Sequence, residues 1–420
     1  MEYLKITGGR KLQGSIDIHG AKNSVLPILA ASLLVNGESV IHNCPDLSDV
    51  TYTLRILQKL GAQVKREGHT LTVNTSVITG DTVPESLMRE MRSSIIFLGA
   101  LASRMGSASV YLPGGCEIGL RPIDLHFFGL RSLGYNVRFD GSNICLRGDK
   151  AAANRIILSF PSVGATENII LASVFLEGTT TVINAAQEPE IEDLCRYLNA
   201  AGAKIQGALT PVIEIEGVRS LHSVTHTVIP DRIEATTFLC AAGITQGEAE
   251  LHHVCLSHLT AVTGLLQEAG AQLYLDSHAI RIRCRNRLKR LKNVATMAYP
   301  GFPTDCQALF GALMTTASGT SVITETVFEN RMMHVPQLRR FGADIDVKDR
   351  IAVIHGVKAL HAADAVCTDL RGGAAVVLAS LAAEGTSTVK NIRHLDRGYE
   401  HIERPLCSLG AAVTRLNDEE

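Results

Sequence analysis

The sequence lacks a long apolar run. Its longest ones, around residues 95–102 and 374–383, fall short of the about 18 apolar residues that a membrane span needs. The opening residues 1–10 also lack the apolar core of a secretory signal. Neither sign of charge is in excess, since the formal net charge is -2, which argues against a general affinity for nucleic acid or an anionic membrane. We expect a cytoplasmic protein with neither kind of partner.

Metal and nucleotide signatures are also missing. Ten cysteines are present, but none forms a Cys-x-x-Cys pair, so reduced thiols are expected. His252, His253, Cys255 and His258 lie close together without a second ligand pair, a pattern more typical of a strand entering a helix than of a zinc site. The glycines match neither a Walker loop nor a dinucleotide fingerprint. No metal and no cofactor is therefore expected.

What the chain does contain is a sixfold repeat of an amphipathic helix that ends in glycine and leads into two short strands. In the first copy, Ser48-Asp49 suggests an N-cap, the segment 50–60 has helical periodicity, and Gly61 ends the helix. Segments 62–65 and 70–73 then form a predicted hairpin. The helix-ending glycines are Gly61, Gly134, Gly202, Gly270, Gly342 and Gly410, and their successive spacings are 73, 68, 68, 72 and 68 residues.

The repeat predicts mixed α/β domains. With 420 residues, 46% of them hydrophobic, the chain is too long for one ordinary core, and closed domains of three repeats fit better than a solenoid. A proline at position 230 follows the third repeat and marks the expected boundary. The first twenty residues are too short for a domain and are expected to complete the C-terminal half.

The segment 113–124 is the most unusual loop. It combines three glycines with Cys116 and Arg121 directly after an apolar, strand-like run. Glycine allows close backbone approach to a ligand, and a nearby cation makes a thiolate more available. The residues alone leave two interpretations open, a mobile loop with a reactive thiol and an ordinary surface turn.

Eight motifs in order resemble those of the UDP-N-acetylglucosamine enolpyruvyl transferases of peptidoglycan synthesis, and the resemblance runs nearly end to end. They are residues 20–23, 113–126, 161–168, 230–234, 302–305, 328–331, 369–373 and 394–400. The resemblance implies a two-domain inside-out α/β barrel in which each domain has three βαβαββ units with buried helices. One domain would be residues 22–229, and the other residues 1–21 plus 230–420, with substrates in the cleft between them.

The resemblance also implies a reaction. The enolpyruvyl group of phosphoenolpyruvate would pass to the 3-hydroxyl of UDP-N-acetylglucosamine by addition and elimination, releasing phosphate. Cys116 matches the proton donor that forms a covalent adduct with phosphoenolpyruvate and is attacked by fosfomycin, and Asp305 matches the base. Taken alone, Asp305 reads more readily as a helix N-cap before Cys306, and the chain leaves both roles open.

The remaining site residues follow from the same resemblance. Those matching catalytic or phosphoenolpyruvate contacts are Lys22, Asn23, Arg121, Arg331, Arg371 and Arg397. Those matching nucleotide-sugar contacts are Arg92, Arg121, Pro122, Ile123, Asp124, Leu125, Ser162, Val163, Gly164, Asp305 and Val327. Arginine suits bidentate binding of carboxylate or phosphate, although any one of these arginines alone is more often a solvated surface residue.

Two other functions remain open. The sister enzyme that transfers the same group to shikimate 3-phosphate shares the fold, but its members lack the loop with Cys116. A catalytically inactive paralogue with a regulatory role is the third possibility, which is disfavoured because the chain retains Lys22, Cys116, Asp305, Arg371 and Arg397.

Overall fold

The computed structural model describes residues 2–112 and 123–417, apart from the side chain of Arg92. The predictions for Cys116, Arg121 and Pro122 therefore lie outside the described residues. No helix among the described residues combines the length and apolar character that crossing a membrane requires.

The elements alternate along the chain as the repeat predicts. The α-helices are α1 (Lys22–Ala31), α2 (Ser48–Lys59), α3 (Glu85–Glu90), α4 (Phe97–Met105), α5 (Asp124–Ser132), α6 (Val163–Ser173), α7 (Pro189–Ala200), α8 (Arg232–Ile244), α9 (Thr260–Glu268), α10 (Gln307–Met314), α11 (Val335–Arg340), α12 (Leu370–Ala382) and α13 (Glu403–Ser408). Short 3-10 helices are Ser32–Leu34, Arg92–Ile96, Leu256–Leu259, Thr304–Cys306 and Ile392–His394.

The strands are short throughout. They are β1 (Glu2–Thr7), β2 (Gln13–Asp17), β3 (Glu38–His42), β4 (Gln63–Glu67), β5 (Thr70–Asn74), β6 (Ser107–Tyr111), β7 (Asn136–Asp140), β8 (Asn143–Arg147), β9 (Arg155–Ile157), β10 (Thr179–Ile183), β11 (Lys204–Gln206), β12 (Val212–Glu216), β13 (Val224–Thr227), β14 (Glu248–His252), β15 (Gln272–Asp276), β16 (Ala279–Arg283), β17 (Val294–Ala295), β18 (Thr320–Thr324), β19 (Asp344–Lys348), β20 (Ile351–His355), β21 (Leu360–His361), β22 (Asp364–Val366), β23 (Ala383–Glu384), β24 (Thr386–Lys390) and β25 (Ala412–Asn417).

The chain divides into two compact units, each with its own hydrophobic core. The N-terminal unit comprises the described residues between 20 and 229, and the C-terminal unit comprises residues 2–19 and 230–417. In the C-terminal unit, α8, α10 and α12 contact one another and are buried along almost their whole length. In the N-terminal unit, α1, α4 and α6 are buried in the same way. Helices that are apolar all round belong inside a core.

Sheets cover these central helices. Among the described residues, the N-terminal unit has two four-stranded sheets and a three-stranded one, and the C-terminal unit has three four-stranded sheets and the small pair β21-β23. Most strands alternate buried and more exposed residues, so one face meets the core and the other meets water. The five four-stranded sheets follow one order, in which an edge strand pairs in parallel with the first of three mutually antiparallel strands, as in β9-β10-β12-β11. The α/β class with buried helices is confirmed. Among the described residues, however, the sheets stay separate and no closed barrel of paired strands forms.

The glycines that define the repeat all adopt left-handed backbone conformations. Their φ angles are +109° at Gly61, +86° at Gly134, +107° at Gly202, +94° at Gly270, +84° at Gly342 and +87° at Gly410. Glycine adopts this region without the steric cost that a Cβ atom imposes. The six predicted helix ends are therefore confirmed, as is the first hairpin, since β4 pairs with β5 in antiparallel register.

Strands β1 and β2 belong to sheets of the C-terminal unit. β1 lies between β24 and β25. In the other four-stranded sheets this position is filled by a strand from the same repeat as its neighbours, whereas here the strand comes from the N-terminal end of the chain. β2 forms the parallel edge beside β14. The nine cysteines that the structure describes are free thiols, in agreement with the expected reduced state.

Candidate functional site

The centre of the C-terminal unit's candidate site is the carboxylate of Asp305, held between two arginines. Arg331 Nη2 lies 2.7 Å from Asp305 Oδ1, and Arg371 Nη2 lies 3.1 Å from Oδ2. Both guanidinium side chains are 3% exposed, whereas Asp305 is 24% exposed. A carboxylate whose two oxygens are fixed by separate buried cations is oriented yet still reachable.

The predicted alternative role of Asp305 as a helix N-cap is wrong. Pro303 occupies the N-cap position of the 3-10 helix that contains Asp305, and Cys306 occupies that of α10, in both cases without a side-chain capping bond. The reason lies outside the local sequence: Arg331 and Arg371 bind the carboxylate, and charge-assisted pairs are stronger than neutral hydrogen bonds.

The local fold fixes Arg371 in the first turn of α12. Asp369 caps this helix by accepting hydrogen bonds from the backbone nitrogens of Arg371 and Gly372, both at 3.0 Å. A Cβ atom at Gly372 would approach Asp369 Oδ2 to 2.6 Å, so glycine is required for the tight capping turn. The Gly-rich sequence after Arg371 thus serves the packing of the helix start.

Tyr399 supports Arg371 from the other side. Arg371 Nη1 donates to the Tyr399 hydroxyl at 3.3 Å, that hydroxyl lies 2.8 Å from Thr237 Oγ1, and the guanidinium stands 5.6 Å from the tyrosine ring centre. Burial disfavours the charge of Arg371, but Asp305, Tyr399 and Asp231 together outweigh it and raise the pKa of the guanidinium. Burial raises the pKa of Tyr399 to about 12, so its hydroxyl keeps its proton. Arg371 is a permanent, fixed cation.

The turn that carries Arg397 is anchored by its neighbours. Leu395 is fully buried, and Tyr399 is buried through the contacts just described. Gly398 leaves no room for a side chain, because a Cβ atom there would lie 2.7 Å from Leu370 Cδ2. Arg397 itself is half-buried on this turn. The structure thus links the turn of Arg397 to Arg371.

Val327 lies on a segment that is shaped by Glu325, a residue that the sequence motifs did not single out. Glu325 is 1% exposed, and its Oε1 accepts hydrogen bonds from the backbone nitrogens of Val327 and Phe328 at 2.8 and 3.1 Å. Thr304, next to Asp305, donates to its other oxygen at 2.9 Å. One buried carboxylate therefore ties the predicted base to the predicted sugar contact.

In the N-terminal unit, Lys22 begins α1 and forms an ion pair with Asp49. Lys22 Nζ lies 2.6 Å from Asp49 Oδ2, and both side chains are buried. The predicted N-cap at Ser48-Asp49 is wrong, because α2 starts at Ser48 after Leu47, which makes no side-chain capping bond, and Asp49 points to Lys22 instead. Asn23 follows Lys22 in the first turn of α1 and is half-buried.

A buried amide, Asn168, links the segments that carry the described nucleotide-sugar residues of this unit. Its Oδ1 accepts a hydrogen bond from Gly99 N at 2.8 Å, and its Nδ2 donates to Ile95 O at 3.1 Å and to His126 Nδ1 at 2.7 Å. The imidazole of His126 in turn touches Gly164, where a Cβ atom would come within 2.9 Å of it.

This network joins three helix starts. It connects the 3-10 helix Arg92–Ile96, the start of α5 with Asp124 and Leu125, and the start of α6. Ser162 caps α6 by accepting a bond from Ala165 N at 3.4 Å. The predicted residues Ile123, Val163 and Gly164 are half-buried beside these starts, and Asp124 is exposed. His126 and Asn168 lie inside the sequence motifs, although neither was assigned a role from sequence.

Comparison with known proteins places this geometry in a family. The sequence pattern of the family described as EPSP synthase (3-phosphoshikimate 1-carboxyvinyltransferase) matches residues 6–406. The UDP-N-acetylglucosamine 1-carboxyvinyltransferase 2 of Caldanaerobacter subterraneus subsp. tengcongensis is 47% identical over 99% of this chain and 100% of its own length. The UDP-N-acetylglucosamine 1-carboxyvinyltransferase 1 of Symbiobacterium thermophilum is 48% identical over 99% of this chain and 95% of its own length.

Solved structures agree on the fold. The enolpyruvyl transferase NikO from Streptomyces tendae superposes with a TM-score of 0.89 at 26% identity, covering 99% of this chain and 98% of that one. EPSP synthase from Acinetobacter baumannii superposes with a TM-score of 0.76 at 17% identity, covering 99% and 100%, which shows the fold alone. The chain therefore belongs to the EPSP-synthase-type enolpyruvyl transferases and, within them, to the UDP-N-acetylglucosamine 1-carboxyvinyltransferase family.

Proposed function

We propose that this enzyme transfers the enolpyruvyl group of phosphoenolpyruvate to the 3-hydroxyl of UDP-N-acetylglucosamine, the first committed step of peptidoglycan synthesis. The geometric observation that carries the proposal is Asp305, whose oxygens are fixed by Arg331 and Arg371 while its edge remains partly exposed. A carboxylate so oriented suits the acceptance of a proton from a sugar hydroxyl. The names of the relatives supply the substrate.

The reaction has two stages. In the addition, Cys116 donates a proton to the methylene carbon of phosphoenolpyruvate, the sugar oxygen bonds to the neighbouring carbon, and the hydroxyl proton passes to Asp305. In the elimination, the bond from that carbon to the phosphate oxygen breaks, the methyl group returns a proton to the Cys116 thiolate, and the double bond forms again. The proton held by Asp305 leaves with the phosphate. Phosphate and the enolpyruvyl ether leave as products.

Cations meet the two anionic groups of phosphoenolpyruvate in this proposal. Lys22, Arg121 and Arg397 bind its phosphate and carboxylate, supported by Asn23, while Arg331 and Arg371 stabilise the site around Asp305. Burial of Lys22 and its pairing with Asp49 hold the ammonium at the start of α1, where the positive end of the helix dipole also favours an anion. All of these groups are side chains of the chain itself, and the proposal assigns no metal or cofactor.

The nucleotide sugar is assigned to the helix starts of the N-terminal unit. Arg92, the segment 121–125 and the segment 162–164 bind it, together with Asp305 and Val327. The support is that Asn168 and His126 connect the helix starts that carry the described residues of the N-terminal unit, so those binding groups share one frame. Because both substrates are cytosolic metabolites and the product feeds the cell wall, the proposal places the enzyme in the cytoplasm, with a role in cell shape and division.

One assay separates the possible functions. Phosphate release from phosphoenolpyruvate is measured with UDP-N-acetylglucosamine and, separately, with shikimate 3-phosphate. Release with the nucleotide sugar alone is expected, release with shikimate 3-phosphate alone would support the sister activity, and release with neither would support an inactive paralogue. The relatives at 43–48% identity favour the first outcome.

The role of Cys116 is tested by substitution. Cys116→Ser is expected to lose about 10²-fold or more in turnover, because a hydroxyl is a far weaker acid and nucleophile than a thiol. It should also lose covalent labelling by fosfomycin. Cys116→Asp is expected to keep more turnover while resisting the alkylation, and labelling of Cys116→Ser at the wild-type rate would refute the assignment.

A further inference from the structure

Arg415, on β25, lies outside the site residues considered so far, yet it organises a cluster of three acids. Its Nη2 and Nη1 bind the two oxygens of Asp396 at 2.7 and 3.1 Å. Its Nε and Nη2 bind the two oxygens of Glu403 at 3.0 and 3.1 Å. Nη1 also donates to Glu2 at 2.9 Å. Five charge-assisted bonds use the full donor capacity of the guanidinium.

This cluster differs from an ordinary surface ion pair because its arginine and one of its acids are largely buried, although Asp396 is 31% and Glu2 48% exposed. The Arg415 side chain is 15% exposed and that of Glu403 13%. Isolated exposed pairs contribute little, but a forked arginine in a multi-acid network has both fixed geometry and partial burial in its favour. Burial opposes the charge of Arg415, while Asp396 and Glu403 outweigh it and raise its pKa. Arg415 is therefore a stable cation in one orientation.

The consequence concerns Arg397, the residue next to Asp396. A bidentate bond fixes the Asp396 carboxylate and with it the backbone from which Arg397 projects. On the far side of the same turn, Tyr399 is fixed by its hydroxyl bond to Arg371. The turn is thus clamped at both ends, by Arg415 before Arg397 and by Tyr399 after it.

We propose that Arg415 is a positioning residue for Arg397 and acts on phosphoenolpyruvate binding through it. The inference rests on the proposed function, in which Arg397 binds that substrate. Arg415 makes no substrate contact in this account. Its effect arises because a small misplacement of an anion-binding arginine weakens its bidentate contact.

The test compares four single variants by steady-state kinetics with both substrates. Arg415→Gln is expected to raise KM for phosphoenolpyruvate about tenfold, with KM for UDP-N-acetylglucosamine changed less than about twofold. Arg415→Lys keeps the charge but loses the fork, so an increase of about threefold is expected. Arg397→Ala measures the effect of removing the positioned group. The control is Arg281→Gln, which removes an exposed strand arginine paired with Glu248, and it should leave both KM values unchanged.

A double variant decides whether Arg415 acts through Arg397. In the Arg397→Ala background, Arg415→Gln is expected to change KM for phosphoenolpyruvate less than about twofold, since the group it positions is already gone. An equal factor in both backgrounds would overturn the inference, and so would a normal KM in Arg415→Gln. Asp396→Asn provides a second test in case Arg415→Gln does not fold, because it weakens the bond to Arg415 and leaves the arginine in place. A normal KM for phosphoenolpyruvate in Asp396→Asn would also refute the inference.

The failure of the proposed function would look different. If Arg397→Ala leaves KM for phosphoenolpyruvate unchanged, the assignment of Arg397 is wrong, and this inference falls with it. If Arg397→Ala raises KM while Arg415→Gln does not, only the positioning role of Arg415 is refuted.

Discussion

His19 and Glu234 form a partly buried pair whose contribution to stability should depend on pH. His19 Nδ1 lies 2.8 Å from Glu234 Oε1, and the backbone nitrogen of His19 donates to Oε2 at 2.9 Å. Glu234 lies in the first turn of α8 and is 3% exposed. One carboxylate therefore joins the end of the N-terminal segment to a central helix of the C-terminal unit. Replacing His19 with glutamine removes the charge while keeping a polar side chain.

The size of the expected stability change follows from the pKa of His19. The hydrogen bond to Glu234 is the largest cause that raises the pKa of His19 from 6.5 to about 9, while burial opposes it and the charges of Glu234, Glu400 and Asp17 add to it. A shift of that size corresponds to about 3 kcal/mol at most. The His19 side chain is 27% exposed, and burial raises the pKa of Glu234 despite its partner. Solvent screening and the cost of the buried carboxylate therefore reduce the net stabilisation to about 1–2 kcal/mol.

The raised pKa of His19 determines how the stabilisation changes with pH. Stabilisation by protonated His19 is fully present below pH 6.5, the value for the unfolded chain, and is lost as pH rises through about 9. The free energy of unfolding of His19→Gln, measured with urea, should therefore lie about 1–2 kcal/mol below wild type at pH 6 and approach it above pH 9. If the two units unfold separately, the difference belongs to the transition of the C-terminal unit.

His253 offers a matched control. It is 71% exposed and lies 3.4 Å from Asp17, so His253→Gln should change the unfolding free energy little at any pH. A His19→Gln difference of equal size at pH 6 and pH 10 would show that packing, not charge, is responsible. No difference at pH 6 would refute the stabilising pair altogether.

Three further substitutions test the site. Asp305→Asn should lower turnover about 10²-fold or more, because it removes the proposed base, and normal phosphate release would contradict that role. The same variant should lower the free energy of unfolding by about 2–3 kcal/mol, because Arg371 then faces a neutral amide. Tyr399→Phe should lower the free energy of unfolding in urea by about 1–2 kcal/mol and raise KM for phosphoenolpyruvate. An unchanged midpoint of urea unfolding, followed by fluorescence or circular dichroism, would count against a stabilising bond to Arg371. Asn168→Leu should leave Gly99 N without its hydrogen bond, lower the free energy of unfolding by about 2–3 kcal/mol and weaken the binding of UDP-N-acetylglucosamine, measured by calorimetry. Asn199→Leu is the control, because Asn199 lies at an exposed position of α7 and binds the backbone of Ile205, and it should leave that binding unchanged.

Sequence reasoning succeeded where the cause is local. The helix ends at Gly61 and its five counterparts were predictable because a left-handed residue directly after an amphipathic helix strongly favours glycine. The hairpin of β4 and β5 was predictable from alternating residues around Gly68 for the same reason. These features depend on neighbours along the chain, and a single sequence displays those neighbours.

Sequence reasoning failed where the partner of a side chain lies far away along the chain. Asp49 and Asp305 both looked like helix caps, but each binds a cation that lies far away in sequence, Lys22 in one case and Arg371 in the other. Arg415 gave no signal at all, since its three acids come from opposite ends of the C-terminal unit. The resemblance to a known family named the groups that would touch substrate. It did not reveal the residues that hold them in place.

The repeat itself explains why Asp305, among similar acids, suits chemistry. An aspartate lies at or just before the start of each central helix of the C-terminal unit, namely Asp231 at α8, Asp305 at α10 and Asp369 at α12. Asp231 and Asp369 each accept two backbone N–H bonds as caps, which fixes their carboxylates at the helix ends. At α10 a 3-10 turn precedes the helix, and the carboxylate of Asp305 is turned to the arginines instead. The repeat thus places a structural acid at each helix start, and at α10 that acid is an oriented, partly exposed carboxylate, which is the arrangement that the proposed base requires.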